Sequence, residues 1–322
     1  MSTKIILIVL GEPYSTFTEI LMKYFNSDNF KKGKKKIILI GSYKLFKNQM
    51  KILKLKIKIK LIKDLNSSKH ELVNMINVDY KFKTIFAKIS NHSNRYIEKC
   101  FNLSLKLIKE HKIHALINGP VSKKHFLKKK FPGITEYIAK KTNSKQPVML
   151  IYNKDLAVSP LTTHVPIKNV PRFINKKNIT KKIYLINNFY KKTLGIKPRI
   201  GVLGLNPHCE STSKFNEDEK ILVPLIKKLS QNGLKLSGPY AADTAFLKNN
   251  RSKLDVIVGM YHDQVLTPMK TLFEYDAINI TLGLPFVRIS PDHGPNEKMI
   301  GKNISDPLSL IRAIEFLDKK ID

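Results

Sequence analysis

The chain has 322 residues, with 58 Lys and Arg against 25 Asp and Glu, 42% hydrophobic residues, two cysteines and no tryptophan. That length and apolar content support one large or two medium domains with a true core, and exclude a disordered tail, a collagen-like chain or a Gly/Ser-rich linker protein. A net charge of +33 ordinarily points to nucleic acid, but only six of the basic residues are arginines, and the 52 lysines are scattered among Ile and Asn without interleaved stacking aromatics, which argues against a base-reading protein and leaves weak affinity for polyanions.

In chain order, the run at 4–10 reads as a buried strand rather than a signal peptide, and no apolar run approaches the ~20 residues that span a bilayer. The turn that follows, Gly11-Glu12-Pro13-Tyr14-Ser15-Thr16-Phe17-Thr18-Glu19, lacks the GxGxxG of a dinucleotide fingerprint, and its Thr16 and Glu19 have the spacing of a helix capping box. A strand is expected at 36–41. The densest basic run, 51–63, alternates strictly from Lys54 to Lys60 and predicts an edge strand with a solvated lysine face. A helix is predicted at 93–109, where Tyr96, Ile97, Cys100, Leu103, Leu107 and Ile108 recur at helical spacing, and further helices at 179–190 and 217–229. Strands are predicted at 115–118, 148–152, 199–205, 255–259 and 277–281. This alternation is the signature of an α/β protein with mainly parallel strands, here as two α/β lobes sharing a cleft. Cys100 and Cys209, without CxxC spacing, build no disulfide framework, so a reducing, cytoplasmic setting is expected.

Three predicted strand ends carry a histidine among turn residues: Thr162-Thr163-His164-Val165-Pro166, Asn206-Pro207-His208 and Met260-Tyr261-His262-Asp263-Gln264. Loops at strand carboxyl ends line the ligand crevice of α/β sheets, and three imidazoles converging there suit a divalent transition metal; taken singly, each reads equally as a hydrogen-bonded structural residue. Arg288, retained in a lysine-rich chain, suggests a bidentate donor to phosphate or carboxylate, with a salt bridge between lobes as the competing explanation. Lys270 lies two helical turns beyond His262 and could add a second cation or be one more solvated lysine. Asp243 could orient an imidazole, shuttle a proton or simply cap a helix.

Together with Asn118-Gly119-Pro120-Val121-Ser122-Lys123, Gly133-Ile134-Thr135-Glu136, Gly238-Pro239, Ala242-Asp243-Thr244, the run 279–288 and Asp292-His293-Gly294, these motifs run in order over about 118–301 and resemble the 4-hydroxythreonine-4-phosphate dehydrogenase family of vitamin B6 synthesis. The resemblance implies a two-lobed α/β/α architecture like that of isocitrate and isopropylmalate dehydrogenases, with the active site in the cleft. The lobes are expected at 1–128 with about 282–322, and at about 129–281. It implies His164, His208 and His262 as ligands of one divalent ion (zinc, magnesium or cobalt), in a site completed across a homodimer interface. It further implies Thr135, Lys270, Asn279 and Arg288 on the phosphorylated substrate; Asp292, His293, Gly294 and Asn303 on NAD or NADP; and Asp243 and Lys270 in catalysis. The implied reaction oxidises 4-phosphooxy-L-threonine to 2-amino-3-oxo-4-phosphooxybutanoate, which decarboxylates to 3-amino-2-oxopropyl phosphate. Two departures stand out. Ile134 occupies a position where the family carries a histidine, and Tyr14 and Phe17 replace small residues of the first turn. They keep open a related phosphorylated hydroxy acid, such as threonate 4-phosphate, as substrate. From another class, the alternative is a basic nucleic-acid-binding protein on an inactive enzyme scaffold.

Overall fold

The computed structural model describes residues 5–128, 130–212, 215–291 and 294–320. Among them, twelve strands run in chain order: β1 (Ile5–Val9), β2 (Lys36–Gly41), β3 (Ile59–Leu61), β4 (Val73–Asn77), β5 (Ala115–Asn118), β6 (Val148–Tyr152), β7 (Ala157–Pro160), β8 (Ile200–Leu203), β9 (Leu236–Tyr240), β10 (Val256–Gly259), β11 (Ile278–Leu282) and β12 (Val287–Pro291). The helices are α1 (Phe17–Phe25), α2 (Asp28–Lys32), α3 (Tyr43–Ile52), α4 (Asn94–His111), α5 (Ile134–Lys141), α6 (Lys176–Phe189), α7 (Val223–Gln231), α8 (Ala242–Ala245), α9 (Lys248–Arg251), α10 (His262–Phe273) and α11 (Leu308–Lys320). No helix among the described residues is long and apolar enough to cross a membrane.

The chain divides into two compact units, Met1–Pro147 with Leu284–Asp322, and Val148–Gly283. The first division falls at 147 rather than near 128, because Leu127, Tyr137 and Ile138 are buried in the core of the first unit and carry α5 with them.

In the first unit the strands lie in the order β3-β4-β2-β1-β5-β12, and every described pair is parallel. β1 is buried at all five positions, as expected of a central parallel strand covered on both faces. Helix α4 lays one stripe, Tyr96, Ile97, Cys100, Phe101, Ser104 and Ile108, into the interior and ends at Lys112 in a left-handed cap. The edge strand is shorter than the lysine alternation predicts. Helix α3 extends to Ile52, Lys54 turns to φ 56°, and only Ile59–Leu61 pairs, with Val73, Asn74 and Met75 of β4. A strand forms where a partner is present, whatever its pattern.

The carboxyl ends of β1 and β5 approach closely. A Cβ on Gly11 (φ 72°) would lie 2.6 Å from the Pro120 carbonyl oxygen, and one on Gly119 would lie 2.3 Å from the Leu10 oxygen, so both positions exclude any side chain. The capping box does not form. Thr16 makes no capping hydrogen bond, Ser15 Oγ accepts instead from Phe17 N, and the buried Glu19 carboxylate reaches Ser305 N (2.6 Å) and Lys23 Nζ (3.0 Å). Glu19 therefore ties α1 to the 303–305 segment.

Glu12, in the same turn, is 1% exposed, and one of its oxygens accepts from Ser93 Oγ at 3.1 Å. Burial raises its pKa to about 7, with the Ser93 hydrogen bond opposing and Glu297 adding to the rise. A carboxyl whose pKa is raised by folding binds more protons in the native than in the unfolded state, so stability falls as pH climbs from the unfolded value near 4.5 through 7. Glu12→Gln removes this loss. It is expected to stabilise the protein by on the order of 2 kcal/mol at pH 8 and by little at pH 4. Denaturant midpoints at the two pH values check it, and an equal effect at both would contradict the assignment.

Candidate active site

In the second unit the order is β11-β6-β7-β10-β8-β9. β11, β6 and β7 pair antiparallel, and β7, β10, β8 and β9 pair parallel, which makes this a mixed sheet. Because β7, β10 and β8 are parallel neighbours, their carboxyl ends lie together, and each continues into one of the histidine loops. The His262 loop is the middle one. The rings of His164 and His262 lie 6.3 Å apart between centroids, inclined by 31°. His262 opens α10, and its Nδ1 lies 2.6 Å from Asp263 Oδ1. An imidazole that donates from Nδ1 to a carboxylate keeps its Nε2 lone pair for another partner. His208 is exposed on the next loop, with φ 55° and ψ 16°, followed by Cys209 at φ 65°. Among the described residues no group of three His, Cys, Asp or Glu side chains is closed around a metal position. The chain thus brings two of the three candidate imidazoles together, with the third on the adjacent strand end. An all-imidazole donor set fits a borderline transition ion such as zinc or cobalt, whereas magnesium prefers oxygen ligands.

Lys270 shares α10 with His262, eight residues on and about 12 Å along the axis. Its Nζ donates to Glu274 O at 3.4 Å and lies 5.8 Å from the centre of the Tyr275 ring. Asn279 sits on β11 opposite Ile151, half-buried, with its Oδ1 enclosed and without a hydrogen-bond partner. Asp243 is the second residue of the short helix α8, exposed, and the cap position there is Ala241. The capping explanation for Asp243 therefore fails.

In the first unit Arg288 is fully buried on β12, opposite Leu116 of β5. Its Nε donates to Asn118 Oδ1 at 2.7 Å and its Nη1 to Thr135 Oγ1 at 3.0 Å. Burial lowers its pKa to about 10 against the pull of Glu136, so the guanidinium remains charged at neutral pH. Both of these partners are neutral oxygens. Asn118 at the end of β5 and Thr135 on α5 thus meet at the Arg288 guanidinium. Ile134, next to Thr135, packs against the core of this unit.

Asp292 and His293 lie outside the described residues. Gly294 is exposed. Asn303 is exposed with φ 57°, and its carbonyl oxygen accepts from Lys23 Nζ at 3.1 Å.

Four residues escape a reading of the sequence. Asn118 and Gln264 stand inside quoted motifs but carry no chemical signature of their own. Asp218 opens a predicted helix. Lys182 is one lysine among 52, yet it is buried on α6 and donates to Pro160 O at 2.7 Å, at the root of the His164 loop; burial lowers its pKa to about 7. Only burial distinguishes it.

The chain is similar to known proteins over most of its length. The family model described as pyridoxal phosphate biosynthetic protein PdxA matches residues 33–317. A 4-hydroxythreonine-4-phosphate dehydrogenase of Sulfurihydrogenibium sp. is 39% identical over 315 residues, covering 96% of this chain and 95% of the relative. A relative from Oceanobacillus iheyensis, named for D-threonate 4-phosphate dehydrogenase activity, is 32% identical over 324 residues and covers 98% of this chain and 97% of its own. The crystal structure of 4-hydroxythreonine-4-phosphate dehydrogenase from Klebsiella pneumoniae superposes with a TM-score of 0.83 at 25% identity, covering 98% of both chains. The chain belongs to the 4-hydroxythreonine-4-phosphate dehydrogenase family.

Proposed function

We propose that this chain oxidises 4-phosphooxy-L-threonine to 2-amino-3-oxo-4-phosphooxybutanoate, which then decarboxylates to 3-amino-2-oxopropyl phosphate, in pyridoxine 5'-phosphate synthesis. Beside family membership, the observation that carries the reading is the pairing of His164 and His262 at adjacent strand ends. In this reading His164, His262 and His208 hold one divalent ion, and a second copy of the chain completes the centre. When bound, the ion supplies Lewis acidity at a hydroxyl oxygen, and a nicotinamide dinucleotide supplies the hydride acceptor.

The chain's own residues then have distinct tasks. Thr135, Lys270, Asn279 and Arg288 hold the phosphorylated substrate and orient the carbon that loses hydride. Arg288 suits this because its guanidinium is fixed by Asn118 before substrate arrives, so little side-chain entropy is lost on binding. Asp243 takes the hydroxyl proton, so the secondary alcohol becomes a ketone as hydride and proton leave separately. Loss of carbon dioxide from the resulting β-keto acid leaves an electron pair on carbon that a proton quenches, and the neighbouring carbonyl stabilises that pair. The segment 292–294 and Asn303 hold the dinucleotide, as the likeness to isocitrate and isopropylmalate dehydrogenases implies.

A second substrate, D-threonate 4-phosphate, is favoured by one observation, the relative of that name that matches nearly the whole chain. It differs in carrying a hydroxyl where the threonine substrate has an ammonium group, and a panel of the two separates the readings.

Purified protein with 4-phosphooxy-L-threonine and NAD is expected to form NADH, to stop with a chelator and to recover with zinc or cobalt. Turnover of threonate 4-phosphate alone would move the assignment to the second substrate, and silence on both would overturn the enzyme reading. Arg288→Lys is expected to lower kcat/KM by about 100-fold, chiefly through KM, because one ammonium cannot replace the planar donor set. A change below threefold would remove Arg288 from the substrate site. His208→Ala is expected to abolish turnover and weaken metal binding while leaving the circular dichroism spectrum and melting temperature near wild type, since its loop is exposed; full activity after metal depletion would sink its role as a ligand.

A further inference from the structure

Between β10 and β8 the backbone ladder does not by itself set the spacing of the histidine loops, because that pairing ends before the loops begin. The described pairs close at Gly259 with Pro160 and at Val258 with Val202. Beyond that point hydrogen bonds take over. On one side Leu161 N donates to Gly259 O at 2.7 Å, and Thr162 Oγ1 donates to Met260 O at 2.8 Å. On the other side a single side chain bridges the gap. Gln264 Oε1 accepts from Met260 N at 2.7 Å, while its Nε2 donates to Gly204 O at 2.8 Å. One end of the amide thus holds the His262 loop and the other holds the root of the His208 loop.

The far side of the His208 loop is clamped as well. The Asp218 carboxylate is 0% exposed and accepts from Leu205 N (2.6 Å), Asn206 N (3.0 Å) and Asn206 Nδ2 (2.9 Å). This matters because His208 and Cys209 both have positive φ, a conformation that non-glycine residues keep only where the surroundings over-determine it. Two glycines leave room for the brace: a Cβ on Gly259 would lie 2.9 Å from Gln264 Oε1, and one on Gly204 would lie 3.2 Å from Asp218 Oδ1.

We propose that Gln264 is a positioning residue of the histidine centre, setting the separation of the His208 loop from the His262 loop while Asp218 holds the strained loop in shape. The proposal rests on the metal-centre reading above and adds to it the part that keeps the ligands in register. The chemistry selects a primary amide, since only Asn or Gln presents an acceptor and a donor on one rigid plane, and Gln has the reach. A glutamate keeps the bond from Met260 N but sets a carboxylate against the Gly204 carbonyl. A methionine keeps the shape and makes neither bond.

The test is cobalt(II) binding to metal-depleted full-length protein, followed by the visible absorption of the bound ion, for wild type, Gln264→Met, Gln264→Glu and His262→Ala. Gln264→Met and Gln264→Glu are expected to bind cobalt about 10- to 100-fold more weakly and with an altered visible band, while the metal-free circular dichroism spectrum stays that of the wild type. If Gln264→Met does not fold, Gln264→Glu decides. Wild-type affinity and spectrum in the folded Gln264 variants, alongside loss of binding in His262→Ala, overturn the positioning role and leave the histidine centre standing. Unchanged binding in His262→Ala, or no binding by the wild type, overturns the centre and the positioning role with it.

Discussion

The second unit depends on a property of parallel sheets: neighbouring strands that run the same way finish at the same end. With β7, β10 and β8 side by side, the loops after Pro160, Gly259 and Leu203 emerge together, and residues about 100 positions apart in the chain become neighbours. Antiparallel strands would have sent alternate loops to opposite ends. His164 and His262 pair because of this topology. The side-chain bonds of Thr162, Gln264 and Asp218 then convert neighbouring loops into loops of defined spacing.

The first unit solves a different problem, the burial of a cation. Arg288 lies on β12 with no exposed surface, and its Nε and Nη1 donate to Asn118 Oδ1 and Thr135 Oγ1. Such hydrogen bonds fix the direction of a guanidinium, the pre-organisation that the proposed substrate role of Arg288 calls for. The tight contacts at Gly11 and Gly119 bring the ends of β1 and β5 near enough for the Asn118 turn to serve that purpose. Burial raises the pKa of Glu12, in the turn after β1, to about 7.

Much of the framework is legible in local pattern, because burial on both faces of a parallel strand demands an unbroken apolar run. That is why β2 and β5 coincide with the runs that predict them, and helical periodicity is why the stripe from Tyr96 to Ile108 marks α4. Pattern fails where the partner decides. The lysine alternation near Lys54 predicts seven residues of strand, but β4 offers a partner only from Ile59 to Leu61. Thr16 and Glu19 have capping spacing, yet Glu19 is worth more against Ser305 N and Lys23, contacts some 280 residues away or on the next helical turn. β12, with Arg288 on it, is a short run that follows Pro285-Phe286, and its strand character rests on pairing with β5.

The sequence by itself determined the α/β class, the positions of its longest apolar strands, and the residue types of the candidate site, because those follow from periodicity, from an arginine kept among lysines, and from motifs dense enough to identify a family. Tertiary structure alone decided which of those residues meet. It brought His164 to His262, turned Lys270 toward the end of its own helix, left Asp243 exposed, and set Gln264 and Asp218 as braces, as well as enclosing Lys182 and Glu12. The physical reason is that a polar side chain's partner is chosen by the strand order and not by its neighbours in the chain, so a glutamine between two loops and a glutamine on a surface are spelled alike.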